Sequence, residues 1–347
     1  MAIHELEGIT LRLTMPGKGI LAADESQTTI GQRFAALHLE SSAELRRSYR
    51  EFLFTTPGIE AFINGVILHE ETLGQRNKEG LFFPEILEEQ GILPGIKVDK
   101  GLIPFDSEEN ITQGLDGLAD RLLMYKNLGA YFAKWRALFV ISDVLPSAAA
   151  QVANAQALAR YAAICQENGI VPIVEPELLM KGTHSLARCV EATEATLHAV
   201  FEELHKHRVL LKCMILKPSM VLPGNQHTPQ ATVAEVAEAT LAVLRRAVPA
   251  EVPSINFLSG GQSPELATLH LNEMNKQLHH MGRPWILSFS YGRALQEPAL
   301  KLWNGKPHNI KSAQRALYKR AKLNAAACKG QYQVEMEEDK ESESVLL

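Results

Sequence analysis

The run Val171-Pro172-Ile173-Val174-Glu175-Pro176-Glu177 is short, apolar and partly β-branched, and it ends in two carboxylates. Helical patterns stand on both sides of it. Upstream, Gln151 to Asn168 places Val152, Ala155, Ala159, Ala162 and Ile164 or Cys165 roughly along one stripe and stops at Asn168-Gly169. Downstream, Ser185 to Leu204 and Thr232 to Val248 read the same way. The run is therefore one strand of a repeating strand-and-helix pattern. Working outward, three similar runs precede Lys134: Gly19 to Asp24, Gly65 to Glu70 and Gly95 to Lys100. Phe132 to Arg136 is the fourth, and Leu210 to Lys217, Ile255 to Ser259 and Ile286 to Ser290 follow. Eight strands alternating with helices predict an α/β fold whose parallel sheet closes into a (β/α)8 TIM barrel, with an open doubly wound sheet as the alternative. The expected organisation is one domain over residues 1–332 and an acidic, mobile tail over 333–347.

Composition narrows the function classes. The 347 residues are 46% hydrophobic and carry 35 Lys and Arg against 40 Asp and Glu, a net charge of −5. This is enough for a sizeable core, and the balance argues against general affinity for nucleic acid or an anionic membrane. Cys165, Cys189, Cys213 and Cys328 lie far apart without a CxxC pair, which favours free thiols in a reducing compartment, the cytoplasm by default. The stretch from Met1 to Leu13 carries Glu5 and Glu7 and reads as neither signal peptide nor membrane span. No GxGxxG or P-loop pattern follows the first strand, so no dinucleotide cofactor is expected. His205, His207 and the pair His279-His280 lack a set of partners and read as surface residues, so no metal is expected.

A barrel of this kind carries its active site at the C-terminal ends of its strands, which here would gather Asp24, Lys100, Lys134, Arg136, Glu175, Glu177, Lys217, Ser259 and Arg293. Lys134 and Arg136 are two apart, as are Glu175 and Glu177, so each pair faces one side of its strand. If that side is the interior, two cations face two carboxylates, either as chemistry or as a structural ion-pair network. Lys217 ends an apolar strand and precedes Pro218. Desolvation there, or a neighbouring cation such as Lys134, favours a neutral amine able to form a Schiff base with a carbonyl substrate. The alternative is a lysine that reaches solvent or pairs with Glu175.

Two glycine features follow the seventh and eighth strands: Ser259-Gly260-Gly261, and Ser290 with Gly292-Arg293. Backbone N–H groups and an arginine at these places can hold a phosphate. Ser26, Thr29, Arg33 and Lys100 offer hydroxyls and cations for a second one. Two anion sites flanking a carbonyl-trapping lysine point to a sugar phosphorylated at both ends.

These residues resemble class I fructose-bisphosphate aldolase from about Gly17 to Tyr332. The segments that carry the resemblance, in family order, are Gly17 to Ser26, Gly95 to Gly101, Ala133 to Arg136, Val171 to Glu177, Leu216 to Pro218, Phe257 to Gln262 and Phe289 to Leu295. The resemblance implies reversible cleavage of fructose 1,6-bisphosphate to dihydroxyacetone phosphate and glyceraldehyde 3-phosphate, in glycolysis and gluconeogenesis. Lys217 would be the Schiff-base lysine, Asp24, Glu175 and Glu177 would manage protons, and Lys134 would keep Lys217 unprotonated. Arg136 would orient the substrate, while Ser259, Gly260, Gly261, Ser290, Gly292 and Arg293 would bind the C1 phosphate. Ser26, Thr29, Arg33 and Lys100 would attend the C6 end. It also implies a homotetramer that needs no metal.

Three features depart from the family pattern. Gln32 and Thr28 stand where members often carry Lys and Gly, which leaves open a preference for fructose 1-phosphate or sedoheptulose 1,7-bisphosphate. Val345-Leu346-Leu347 stands where animal and plant members end in a tyrosine that assists proton exchange, so slow exchange or another proton source is expected. A non-catalytic sugar-phosphate-binding scaffold is the reading from a different class.

Overall fold

The computed structural model describes residues 3–282 and 284–338 of the chain. In chain order it runs α1 (Ile3–Leu13), β1 (Gly19–Ala23), α2 (Gln27–Ala35), α3 (Ala43–Phe54), β2 (Ile63–Leu68), α4 (Glu70–Leu73), α5 (Phe83–Glu89) and β3 (Leu93–Lys97). A hairpin of β4 (Leu102–Pro104) and β5 (Asn110–Thr112) precedes α6 (Leu118–Asn127), β6 (Phe132–Phe139), α7 (Ala148–Glu167), β7 (Val171–Leu178) and α8 (Leu186–Lys206). The chain continues through β8 (Ile215–Leu216), α9 (Val233–Ala247), β9 (Ser254–Phe257), α10 (Pro264–Met281), β10 (Ile286–Tyr291), α11 (Arg293–Trp303) and α12 (Ile310–Ala327). Strands β1, β2, β3, β6, β7, β8, β9 and β10 close in that order into a parallel barrel, as the repeating pattern predicts.

Alternation along β6 and β7 divides the core in two. Ala133, Trp135, Ala137 and Phe139 on β6, with Val174 and Leu178 on β7, join the large apolar layer between barrel and helices. Trp135 stacks there on Tyr161 of α7 at 5.5 Å between ring centroids. The intervening residues point into the barrel. Phe132, Val171 and Ile173 meet Ile20, Ile67, Leu93 and Ile215 in a separate interior cluster, closed from below by Leu6, Ile9 and Leu13 of α1. Each of those three side chains is buried, which contributes roughly 1.5–3 kcal/mol apiece. The N-terminal stretch thus plugs the barrel floor, and every polar side chain on the inward face of β6 and β7 is left for the upper end.

The strand from Leu210 to Lys217 is shorter than expected. Leu211–Cys213 forms a 3-10 turn and the strand is reduced to Ile215–Leu216. The cause lies in β7. Val171 N–H donates to Tyr131 on the β6 side, whereas the Val174 carbonyl accepts from Lys217 N–H on the β8 side. Even-numbered residues of β7 therefore present their backbone to β8, and Pro172 and Pro176 have no N–H to offer it. Pairing with β8 is confined to Ile173 with Ile215 and Val174 with Leu216.

Strands two and three also end early. His69 caps α4 by accepting a hydrogen bond from Glu71 N–H, so the chain turns helical at Glu70. After Lys97 the Asp99 carboxylate accepts from Gly101 N–H, and Gly101, at φ 92°, starts the β4–β5 hairpin. At the other terminus Val334–Glu337 makes a 3-10 turn in which Glu337 pairs with Arg320 and accepts from the Tyr332 hydroxyl at 2.9 Å. The rest of the expected tail, including Val345-Leu346-Leu347, lies outside the described residues, as does the side chain of His280.

Candidate active site

The upper ends of the barrel strands line a pocket of about 630 Å³. Asp24 follows β1, Lys134 and Arg136 come from β6, Glu175 and Glu177 from β7, and Lys217 follows β8. At one end lie Ser259, Gly260, Gly261, Ser290, Gly292 and Arg293, and at the other Ser26, Thr29 and Arg33. The two-residue spacing of the charged pairs does what strand geometry requires, placing both members of each pair on the inner face.

Lys217 sits at the base of this pocket, only 3% exposed. Its Nζ lies 3.0 Å from Glu175 Oε1, and Lys134 Nζ lies 3.1 Å from Glu175 Oε2 and 2.8 Å from Asp24 Oδ2. The result is a buried row of alternating charge, Asp24–Lys134–Glu175–Lys217. Burial works to raise the carboxyl pKa of Asp24 and Glu175, yet the fields of Lys134 and Lys217 outweigh it and hold both below the usual carboxylate range. Burial works against the Lys134 ammonium too, but Asp24, Glu175 and Asp99 raise its pKa. Lys134 is therefore a fixed cation held by two carboxylates, and the nearest ion to Lys217 is Glu175. Arg136 pairs with Glu177 beside this row.

The glycine-rich end is built differently. Gly260 and Gly261 have φ of 56° and 93°, left-handed values that a side chain resists, and Cβ at Gly292 would stand 3.1 Å from the Ala22 carbonyl oxygen. Ser290 Oγ is buried in the pocket wall and finds no hydrogen-bond partner among the described residues. Arg293, at the start of α11, reaches the Gln262 carbonyl at 3.4 Å.

At the opposite end Ser26 caps α2, accepting from Thr29 N–H, while Arg33 is bound to Glu25 at 2.5 Å. Glu25 also pairs with Arg50 at 2.7 Å. Burial tends to raise the Glu25 pKa, and Arg50 and Arg33 bring it below the usual range.

Lys100 is the exception among the expected residues. It lies outside the pocket lining, three residues beyond the end of β3, with its Nζ on Glu70 at 2.7 Å in an exposed ion pair. Lys97 takes its place in the lining, with Asp99 2.6 Å away. The signal for this was available: Lys97 and Asp99 are two apart, like Lys134 and Arg136, and the same alternation rule selects them over Lys100. Glu25, the carboxylate that compensates Arg33, was also missed, and only its position beside Asp24 at the end of β1 pointed to it.

The family model of class-I fructose-bisphosphate aldolase matches residues 5–347. The chain belongs to that family. It is 49% identical to a probable fructose-bisphosphate aldolase class 1 of Xanthomonas axonopodis pv. citri, over 96% of this chain and 99% of the relative. It is 51% identical to the cytoplasmic isozyme of Spinacia oleracea fructose-bisphosphate aldolase, over 92% of this chain and 90% of the relative. A solved fructose-bisphosphate aldolase from Plasmodium falciparum superposes with a TM-score of 0.92 at 47% identity, covering 95% of each chain. The chain is accordingly an aldehyde-lyase acting on a phosphorylated sugar, fructose 1,6-bisphosphate, by aldol cleavage. No described helix is long and apolar enough to cross a membrane.

Proposed function

We propose that cleavage runs through a Schiff base on Lys217, and the observation that carries this reading is a buried amine at the pocket base with a carboxylate 3.0 Å away. The Glu175 carboxylate takes a proton from Lys217, and the resulting amine attacks the C2 carbonyl of the open-chain sugar, giving a carbinolamine. Loss of water, with a carboxyl supplying the proton to the departing hydroxyl, leaves a protonated imine. A base then takes the C4 hydroxyl proton, the C3–C4 bond breaks, and its electron pair is delocalised into the imine as an enamine. Glyceraldehyde 3-phosphate leaves at this point. Protonation of the enamine at C3 and hydrolysis release dihydroxyacetone phosphate and regenerate the amine. The imine is the electron sink, and the proton transfers fall to Asp24, Glu175 and Glu177. Glu175 serves the nitrogen, because it is the carboxylate within hydrogen-bond reach of it.

In this reading the C1 phosphate rests on the Ser259-Gly260-Gly261 backbone, Ser290, Gly292 and Arg293, and the C6 end faces Ser26, Thr29 and Arg33, with Lys97 in place of Lys100. Arg136 orients the sugar. The enzyme acts in the cytoplasm, in line with its cytoplasmic relative, and, as the family resemblance implies, as a homotetramer in glycolysis and gluconeogenesis. Borohydride reduction in the presence of dihydroxyacetone phosphate tests the core of this proposal. A mass adduct mapping to Lys217, absent from Lys217→Met, is the expected result; folded protein that binds the ligand without trapping it would overturn the Schiff base and favour a sugar-phosphate-binding scaffold.

A further inference from the structure

His270 lies on α10, two turns beyond the glycine-rich loop and outside the pocket lining, and is 2% exposed. Its Nδ1 is 2.5 Å from Oε1 of Gln262, itself 3% exposed. The same Gln262 closes the loop at three points. Its Nε2 donates to the Ser259 carbonyl at 3.0 Å, its backbone N–H donates to that carbonyl at 3.0 Å, and its own carbonyl accepts from Arg293. The orientation of this amide is dictated chemically. The Ser259 carbonyl can only accept, so the amide NH2 must face it, which leaves Oε1 toward the imidazole. His270 must then carry its proton on Nδ1. Its Nε2 has no partner among the described residues, so a second proton there would be a buried, unpaired charge. Burial accordingly pushes the imidazole pKa down to about 4, which keeps this single tautomer at physiological pH.

We infer that His270 is a positioning residue for the anion-binding loop: by donating Nδ1–H to Gln262 it fixes the amide that sets the Ser259 carbonyl and the Arg293 contact. This rests on the proposed phosphate-binding role of the loop. Without the imidazole, Gln262 Oε1 becomes a buried acceptor with no donor, and the amide gains by rotating away from Ser259 to find one. Asparagine at 270 retains an N–H near the place of Nδ1; leucine does not.

The test measures the dissociation constant of dihydroxyacetone phosphate, KM and kcat for fructose 1,6-bisphosphate cleavage, and Tm for His270→Leu, His270→Asn, Gly261→Ala and the double variant His270→Leu/Gln262→Leu. The expectation is that His270→Leu weakens dihydroxyacetone phosphate binding about tenfold and raises KM similarly, with kcat within threefold. His270→Asn should keep binding within twofold. The double variant removes the orphaned acceptor, so its Tm should recover toward the parent while the tenfold binding defect persists. It also keeps the question answerable where the single leucine variant folds poorly. Unchanged affinity in folded His270→Leu or in the double variant overturns the inference, as does a defect in His270→Asn equal to that of leucine. Gly261→Ala, which strains the loop backbone itself, separates the two levels: if it alone weakens binding, the loop reading stands and the role of His270 falls. If it changes nothing, the phosphate reading fails and the inference with it.

Discussion

The two ends of the pocket reach an anion by different means. The Ser259–Arg293 end is made of backbone, hydroxyls and one arginine, and its conformation is set by glycines at positive φ. Among the described residues its arginine is only loosely paired, Arg293 lying 4.0 Å from Glu297. The Ser26–Arg33 end has more cations, but they are engaged: Arg33 with Glu25 and Lys97 with Asp99. An anion arriving at the first end meets donors that are free to bind, whereas at the second it must compete with carboxylates already in place. The first end is therefore expected to supply most of the phosphate affinity and the second to modulate it.

The charged row between the two ends is common to both, so damage there should erase the contrast. In Lys134→Met, Asp24 and Glu175 remain buried with less cationic compensation, and the loss of stability is expected to reach about 3 kcal/mol at neutral pH. The sign follows from the depressed carboxyl pKa values of the parent. Their stabilising contribution is complete above the ordinary carboxylate range and is lost as the pH falls toward the depressed folded values. The variant lacks most of that contribution, so its Tm deficit should hold from pH 7 to about pH 5 and shrink as the pH falls through about 4 toward 3. Thermal melts across this range check it, and a deficit that grew on acidification would contradict the row of charges as the source of stability. Activity on fructose 1,6-bisphosphate and fructose 1-phosphate should fall by similar factors, because neither phosphate end is touched.

Gly261→Ala acts on the backbone-built end alone. At φ 93° the added Cβ is strained, and it stands 3.2 Å from Met180 Cε and 3.7 Å from an Arg293 nitrogen. KM should rise about tenfold for both sugars, which share the C1 phosphate, with kcat nearly preserved. Equal KM values in variant and parent would remove the loop from phosphate binding.

Arg33→Ala acts on the compensated end and should separate the two sugars. KM for fructose 1,6-bisphosphate is expected to rise about fivefold, the effect of a charged hydrogen bond discounted for the Glu25 it already holds, and KM for fructose 1-phosphate to stay constant. A rise of fiftyfold would mean that Glu25 releases Arg33 fully on binding and that the two ends are more alike than their ion pairs suggest.

The barrel was legible because eight short apolar runs separated by helical stripes admit few arrangements, and Lys134, Arg136, Glu175 and Glu177 were legible because strand alternation is rigid. What escaped depended on side-chain and backbone contacts that hydrophobic periodicity does not register, some local and some between neighbouring elements. The shortness of β8 follows from two prolines on its neighbour, Pro172 and Pro176, and not from its own apolar sequence. The early end of β3 follows from the Asp99–Gly101 turn. Glu25 matters through Arg33 and Arg50, and His270 through Gln262, eight residues before it, a pairing visible only once helix and loop are packed.

Lys100 joins the legibility of the sequence to the contrast between the two ends. Read from the run Gly95 to Lys100, it sits at a strand terminus and counts as a cation for the distal phosphate. In the fold the strand has ended three residues earlier, and Lys100 lies in the turn with its side chain 45% exposed against Glu70. Ion pairs so exposed contribute little and are screened by salt. Lys100→Ala should therefore leave KM for fructose 1,6-bisphosphate within twofold, while Lys97→Ala, two residues inside the pocket's charge pattern, should raise it several-fold. The pair forms a controlled comparison, since both variants remove the same charge from the same segment. A tenfold rise for Lys100→Ala would show that the segment delivers this lysine to the phosphate. The distal end would then hold a cation drawn from a solvent-exposed pair, cheaply released, and the asymmetry between the two ends would be smaller than their buried ion pairs imply.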